Sequence, residues 1–241
     1  MRPVEAYSRL AGVYDEIVVD PCHGRWAAFL DELWDGGVHD VLDLCCGTGL
    51  LAAELAGLGY RVAGVDASEQ MLELARGRLG DEVTLVRAAL PELPVDGVFD
   101  AAVSTFDGFN YLSPDELRQT LHAVARRLVP AGWLVFDLHT DAMMAFTSSN
   151  PVVAGESAGN GFVIESLVDA AARTCDTTIE VVRPRDGEPF SERHRQYFHT
   201  ERDVRAALGG AGFAVEQVCD EYSSRPLDTE SLRATWVSRL S

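Results

Sequence analysis

Asp43-Leu-Cys-Cys-Gly47-Thr-Gly49 lies between a run that reads as a buried strand, Asp40-Val-Leu-Asp-Leu-Cys45, and an apolar helical stretch from 50 to about 58. Glycines at a strand–helix junction let the backbone approach a ligand closely. A second strand, Arg61-Val-Ala-Gly-Val-Asp66, ends on an acid 23 positions after Asp43. A carboxylate there can accept hydrogen bonds from both hydroxyls of a ribose. The glycine pair alone also fits an ordinary strand–helix turn. With Asp66 at the end of the next strand, a nucleoside site becomes the better reading.

Outward from this stretch the rhythm continues. Ser68 reads as an N-cap, with Glu69 in the first turn of a helix to about 79. Strands are expected at 83–87, 99–104 and 133–137. Ser113-Pro-Asp-Glu116 is a strong helix start, and that helix is expected to end near Val129-Pro130. Strands alternating with helices at this spacing mean βαβ units and a parallel sheet. Ahead of the core, two short helices are expected in the first 35 residues, with a break at Asp20-Pro21. The second covers 24–34 and stops at Gly36-Gly37. From 151 the texture changes. Strands are expected at 163–168 and 175–182, and Asp186-Gly187 signals a hairpin to a strand at 190–198. Thr200-Glu-Arg-Asp203 caps another helix, and two closing strands follow at 213–222 and 232–240.

Composition narrows the chemistry. The 241 residues carry 38 Asp and Glu against 20 basic residues, all of them Arg, for a net charge of −18. Without lysine there is no lysine Schiff base, no lysine general base and no complete P-loop. The acidic balance argues against nucleic acid as a partner. No apolar run reaches the roughly 18 residues of a membrane span, and Met1 to Leu10 does not read as a secretory signal. The five cysteines are odd in number and lack a Cys-x-x-Cys pair, so neither a disulfide framework nor a zinc site is indicated. A reduced cytoplasm is the expected setting.

Asp-x-x-Cys-Gly-Thr-Gly followed by Asp66 resembles the class I S-adenosylmethionine-dependent methyltransferases. Val65-Asp-Ala-Ser-Glu-Gln-Met71, Phe99-Asp100 and Leu128-Val-Pro-Ala-Gly132 fit that family in order, over roughly residues 38–140. Phe106-Asp-Gly-Phe-Asn110-Tyr111-Leu is similar to a small-molecule subgroup that includes antibiotic amino-sugar N-methyltransferases. The resemblance implies an α/β fold with a Rossmann-like, seven-stranded, mostly parallel sheet, an antiparallel last strand and a small antiparallel β insertion. It implies a helical lid over 1–35, a cofactor-binding core over 36–144 and 200–241, and a substrate-covering insertion over 145–199.

The same resemblance implies site roles. Gly47, Gly49, Thr48 and the backbone of Cys45 pass beside the methionine portion of the cofactor, with Asp43 just before them. Asp66 holds the ribose, Ala67 and Met71 line the adenine, Ala89 and Leu90 fall at the adenine edge, and Thr105 closes the fourth strand. Tyr14 and Trp26 belong to the lid. The chain departs from the family at Ala89, where many members carry Asp, and at Cys45, where the family has glycine. Cysteine fits there if φ is negative. Trp133 replaces the last glycine of the turn before the fifth strand.

Methyl transfer mainly requires positioning and desolvation of the acceptor, and an ammonium acceptor must first lose a proton. Catalytic candidates are His139, Asp107 and Tyr14. Asn110, Tyr111 and His139 are candidates for substrate binding. Asp137 shares a strand face with His139. Strand alternation also puts Arg195, Tyr197 and His199 on one face, expected to cover the substrate. An expected partner is a small-molecule acceptor, with an amine nitrogen ahead of a hydroxyl. No metal site is recognisable, and the closing strands or the insertion suit a homodimer contact. Two other classes stay open. Gly47-Thr-Gly49-Leu-Leu-Ala52 also fits a nicotinamide oxidoreductase, and the fold can serve as a non-catalytic cofactor-binding module.

Overall fold

The computed structural model describes residues 6–18, 22–80 and 83–241. The expected break at Asp20-Pro21 lies outside them. Two helices, α1 (Ala11–Ile17) and α2 (His23–Trp34), precede the sheet. The core then alternates: β1 (Asp40–Leu44), α3 (Leu50–Gly57), β2 (Arg61–Asp66), α4 (Glu69–Leu79), β3 (Thr84–Arg87), β4 (Phe99–Ser104), α5 (Pro114–Ala125) and β5 (Leu128–His139). After α6 (Asp141–Ser149) comes an antiparallel run, β6 (Val152–Ser157), β7 (Asn160–Asp169), β8 (Thr174–Arg183) and β9 (Phe190–Tyr197). The chain closes with α7 (Glu201–Gly210), β10 (Phe213–Asp220) and β11 (Arg233–Leu240).

The main sheet has seven strands in the order β10-β11-β5-β4-β1-β2-β3, and β6 to β9 form a separate sheet in sequence order. All strand pairs from β5 to β3 are parallel, whereas β11 runs antiparallel to both β5 and β10. This is the α/β class and sheet expected from the sequence.

Alternation sorts the side chains to two layers. On β1, Val41 faces the layer built with α2 and α3, where Trp26, Leu30, Leu51 and Leu55 are buried. Leu42 and Leu44 face the other layer, with Leu117 and Leu121 of α5 and Leu208 of α7. Each fully buried Leu contributes about 1.5–3 kcal/mol. Caps fix the helix starts. Ser113 and Glu116 form a reciprocal capping box with Pro114 at the first turn. Ser68 accepts from the Met71 N–H, and Thr200 from the Asp203 N–H.

Three expectations shift. Helix α5 ends at Ala125, not near 130, because Leu128 already pairs with Phe99 as β5 begins. Ala131 at φ +61 makes a bulge between the Phe99 and Ala101 pairings. A Cβ on Gly132 would lie 2.9 Å from the Val129 carbonyl oxygen, so glycine is required there. Trp133 is accommodated beside it, half-buried, with the Arg239 guanidinium 4.1 Å over its ring. Helix α6 and strand β6 were not expected. Neither has a buried residue, and Phe146, Val152 and Val153 stay exposed on them.

Gly64 is the tightest point in the sheet interior. A Cβ there would meet Leu85 Cδ2 at 2.7 Å and Cys46 Sγ at 2.8 Å. Gly57, at the end of α3, has open space. Gly64→Ala is expected to lose about 1–3 kcal/mol in urea denaturation. Gly57→Ala is expected to be neutral or to gain a few tenths.

Candidate active site

The carboxyl ends of β1, β2 and β4 open on one pocket, where ligands bind in open parallel sheets. After β1 the backbone turns sharply, with Cys45 at φ +57, Gly47 at φ +54 and Gly49 at φ +78. The expected negative φ at Cys45 is therefore overturned. The turn that brings Cys46 N–H onto the Val65 carbonyl (3.0 Å) drives Cys45 into the left-handed region. The two glycines differ in use. A Cβ on Gly47 would meet nothing within 4 Å, and Gly47 lines the pocket. A Cβ on Gly49 would press on Leu79 at 3.0 Å and Ala75 at 3.2 Å, and Gly49 is absent from the lining. Its role is close packing of α3 on α4.

Asp66 ends β2 inside the pocket. Its carboxylate accepts from the Gly47 N–H (2.9 Å) and the Ser68 N–H (2.8 Å). Burial raises its pKa, and these amides oppose the rise. Asp43, also on the pocket, is 1% exposed, and its Oδ2 has no partner among the described residues. Burial, then the charge of Asp66, pushes its carboxyl up to about 8. Thr48 lines the pocket and donates its hydroxyl to Asp15 of α1 (2.7 Å), which also pairs with Arg78 (2.6 Å). Ala67, Met71, Thr105 and Tyr14 complete the expected residues found on the wall, together with Cys45 and Tyr111.

The end of β4 is stapled to β5. The Phe106 and Asp107 N–H groups donate to Asp137 at 2.8 and 2.6 Å. Asp137 is fully buried, and burial pushes its carboxyl up to about 7 against the pull of Arg233. Asp107 itself faces away from the pocket lining into a polar cluster. It accepts from Gln196 Nε2 (2.5 Å) and Arg233 Nη2 (3.2 Å), and lies 3.7 Å from His139 Nε2. Burial lowers the His139 pKa, favouring the neutral ring. Its charge thus committed, Asp107 is not a free base, and neither it nor His139 is on the wall.

Several expected residues lie elsewhere. Asn110 is fully buried, donates to the Tyr197 carbonyl (2.7 Å) and accepts from the His139 N–H (3.0 Å). It clamps three segments and has no face for substrate; Tyr197 contributes its backbone. Arg195 points to the outer side of β9 and pairs with Asp176 at 2.6 Å. Strand parity is the reason: the inward set is Glu192, His194 and Gln196, one position out of step with the expected face. Trp26 is wholly buried behind the wall, with ring centroids 5.6 Å from Phe106 and 4.9 Å from Tyr222. Leu90 packs on the core and Ala89 is exposed; neither lines the pocket. Sequence reasoning missed Tyr7, His23 and Phe106 on the wall. It also missed Arg233, buried under Phe106 at 5.0 Å. Tyr7 precedes α1, where no periodicity flags it. Arg233 is a single cation opening an apolar strand, which is a readable signal for a buried ion pair.

Residues 41–132 match the family described as "Methyltransferase domain". Residues 41–132 thus carry a methyltransferase domain. The Bacillus subtilis (strain 168) protein YqeM, provisionally named a methyltransferase, is 27% identical over 94% of each chain. The dTDP-3-amino-3,4,6-trideoxy-alpha-D-glucopyranose N,N-dimethyltransferase of Streptomyces venezuelae is 28% identical over 78% of this chain and 80% of its own. The fold is that of an S-adenosylmethionine-dependent methyltransferase of Clostridium acetobutylicum ATCC 824. That structure matches with a TM-score of 0.85, 22% identity, and coverage of 98% of this chain and 100% of the other. The matched segment ends within β5; the antiparallel sheet lies beyond it. Among the described residues, no helix is long and apolar enough to cross a membrane, and no His, Cys, Asp and Glu cluster suits a metal ion.

The left-handed Cys45 makes a testable contact. A Cβ on Gly108 would lie 2.8 Å from Cys45 Cβ and 3.0 Å from Ser104 Oγ. Gly108→Ala is expected to destabilise by about 1–3 kcal/mol. Cys45→Gly, which relieves about 1 kcal/mol of backbone strain, is expected to recover part of that loss. Denaturation of the two single variants and the double variant measures the coupling.

Proposed function

We propose that this chain transfers a methyl group from S-adenosylmethionine to a small-molecule acceptor, an amine nitrogen of a secondary metabolite. The observation that carries the reading is the joint placement of Asp66, Gly47 and the unpartnered Asp43 carboxylate on one pocket. These residues fit the cofactor. Asp66 keeps acceptor capacity for two ribose hydroxyls beyond its two amide bonds. Gly47 leaves the space beside its α-carbon open. Asp43 offers an unmatched oxygen to the ammonium of the methionine portion. Cys45, Thr48 and Thr105 border that portion, Ala67 and Met71 the adenine, and Tyr14 the lid side. When bound, the cofactor supplies a methyl group on a sulfonium, whose leaving group is already activated.

The chain's own part is positioning and exclusion of water. We assign residues 1–35 as the lid, 36–144 with 200–241 as the cofactor core, and 145–199 as the cover over the acceptor. Thr48–Asp15–Arg78 ties α1 down across the loop after β1. Tyr7, Tyr14, Tyr111, His23 and Phe106 make the acceptor end of the pocket aromatic, a surface that favours a cation. The net charge of −18 further favours a cationic acceptor over nucleic acid. Similarity to the Streptomyces venezuelae amino-sugar N,N-dimethyltransferase supports an amine. Against a nicotinamide enzyme stand the antiparallel β11 within the sheet and the absence of Gly49 from the wall.

A methylation assay over amines, amino sugars and phenols tests the acceptor class. Turnover of phenols alone refutes the amine. Calorimetry tests the cofactor residues. Asp66→Ala is expected to weaken S-adenosylhomocysteine binding by about 1.5–3 kcal/mol, roughly 10- to 150-fold. Asp43 sets a pH dependence. Its raised pKa leaves it protonated below about 8 in the free protein, while pairing with an ammonium favours the ionised form. Affinity should therefore rise between pH 6 and 8 with proton release. In Asp43→Asn that rise should be absent.

A further inference from the structure

Strand β9 sends two buried groups toward the lid, Glu192 at 2% exposure and His194 at 5%. Glu192 accepts from the backbone N–H groups of Tyr7 (2.9 Å), Arg9 and Leu10 (3.0 Å), and from Ser8 Oγ (3.2 Å). Its other neighbour is His194, whose Nε2 lies 3.6 Å from Oε2. The opposite ring nitrogen, Nδ1, is 3.1 Å from the Tyr111 hydroxyl, which is 2.7 Å from the Tyr7 hydroxyl. Tyr7 and Tyr111 both line the pocket. Four side chains thus run in one line from the acceptor end of the pocket to a buried carboxylate.

The direction of this line follows from Glu192. A carboxylate facing Nε2 favours the tautomer with its proton there, which leaves Nδ1 as an acceptor. Tyr111 then donates to Nδ1, Tyr7 donates to Tyr111, and the Tyr7 oxygen keeps a lone pair for a donor in the pocket. Against the cost of burial, the His194 ring 3.6 Å away and bonds from the Arg9 and Leu10 amides hold the Glu192 carboxyl below its ordinary value. Burial pushes both phenols up, so they pass protons and do not hold charge.

The geometry points to Tyr7–Tyr111–His194–Glu192 as a proton-accepting relay for the acceptor amine, resting on the methyl-transfer reading above. An acceptor ammonium at Tyr7 gives a proton to the Tyr7 oxygen, Tyr7 passes its own to Tyr111, and Tyr111 passes its own to Nδ1. Both tyrosines end neutral, as they began. The imidazole gains one proton beside Glu192, and the amine is left with a free pair. That pair forms the N–C bond as the S–C bond breaks, its electrons going to sulfur. Tyr7 touches the acceptor; Tyr111, His194 and Glu192 act through it and are positioning residues. Other ionisable groups near the line are Tyr14, Asp66 and Cys45 on the pocket wall and Asp107 behind it. Glu165, Asp176, Arg193 and Arg195 line a groove on the outer side of the second sheet that reaches His194.

Nitrogen NMR of histidine-labelled protein reads the relay without any acceptor. His194 is expected to carry its proton on Nε2 at neutral pH, with the Nδ1 signal moved by Tyr111→Phe. A proton on Nδ1 reverses the line and overturns the proposal. The kinetic arm uses an amine methylated by the wild type. His194→Gln keeps an acceptor for Tyr111 but cannot take a proton. It is expected to lower kcat about 100-fold, to shift the acid limb of the pH profile, and to leave acceptor KM and S-adenosylhomocysteine affinity within two-fold. Unchanged kcat and pH profile overturn the relay. If no amine is methylated by the wild type, the acceptor reading fails, and the tautomer still decides the direction of the line.

Discussion

The carboxylate of Asp66 holds the two halves of the pocket at a fixed distance. One oxygen takes the Gly47 N–H from the loop after β1, the other the Ser68 N–H at the start of α4. Hydrogen bonds to a charged group contribute about 1.5–3 kcal/mol each, which offsets the desolvation of a mostly buried acid. Without them the Gly47 turn would hold to β2 by backbone bonding alone, and the side chain expected on the ribose would have no fixed rotamer. The Cys46 N–H to Val65 carbonyl bond adds a second tie at the same place.

The same device recurs around the site. Asp137 takes the Phe106 and Asp107 amides, and Glu192 takes three from the segment before α1; at the far, amino end of β1, Asp100 takes those of His39 and Asp40. A chain with 38 acids and 20 bases cannot pair all its carboxylates with cations. At the pocket it uses them to satisfy backbone donors in loops, where no ladder is available. Arg233 is the exception, a buried cation shared among Asp107, Asp137 and Glu221. Burial would lower its pKa, but the three carboxylates drive it up.

The sheet and its order of helices were legible because βαβ units announce themselves through alternation, caps and glycines. Ser68, Ser113 and Thr200 cap where the sequence places them. Pocket residues on the loop after β1 were legible for the same reason, since the motif and the strand end coincide. The acceptor side was not. On β9 the sequence Glu192-Arg-His-Arg195 alternates charge with charge, so nothing in composition tells the inward face from the outward one. Only the lid amides waiting for Glu192 decide it. Trp26 and Asn110 were misplaced for a related reason: side-chain type suggests contact with a ligand, while burial depends on what the opposite layer supplies.

Cys45, Phe106 and Asp107 all sit at positive φ, from +55 to +60, around one pocket. Left-handed backbone costs a non-glycine residue about 1–2 kcal/mol, so three such residues persist only where neighbours over-determine them. Such neighbours are present: Asp137 grips the two amides after β4, and Gly108 leaves the room that the Cys45 side chain needs. Relaxing any one residue to the ordinary basin would break bonds made by the others. The strain therefore works as rigidity. In a reaction whose electrophile arrives already activated, a wall that does not yield is the main thing the protein can contribute.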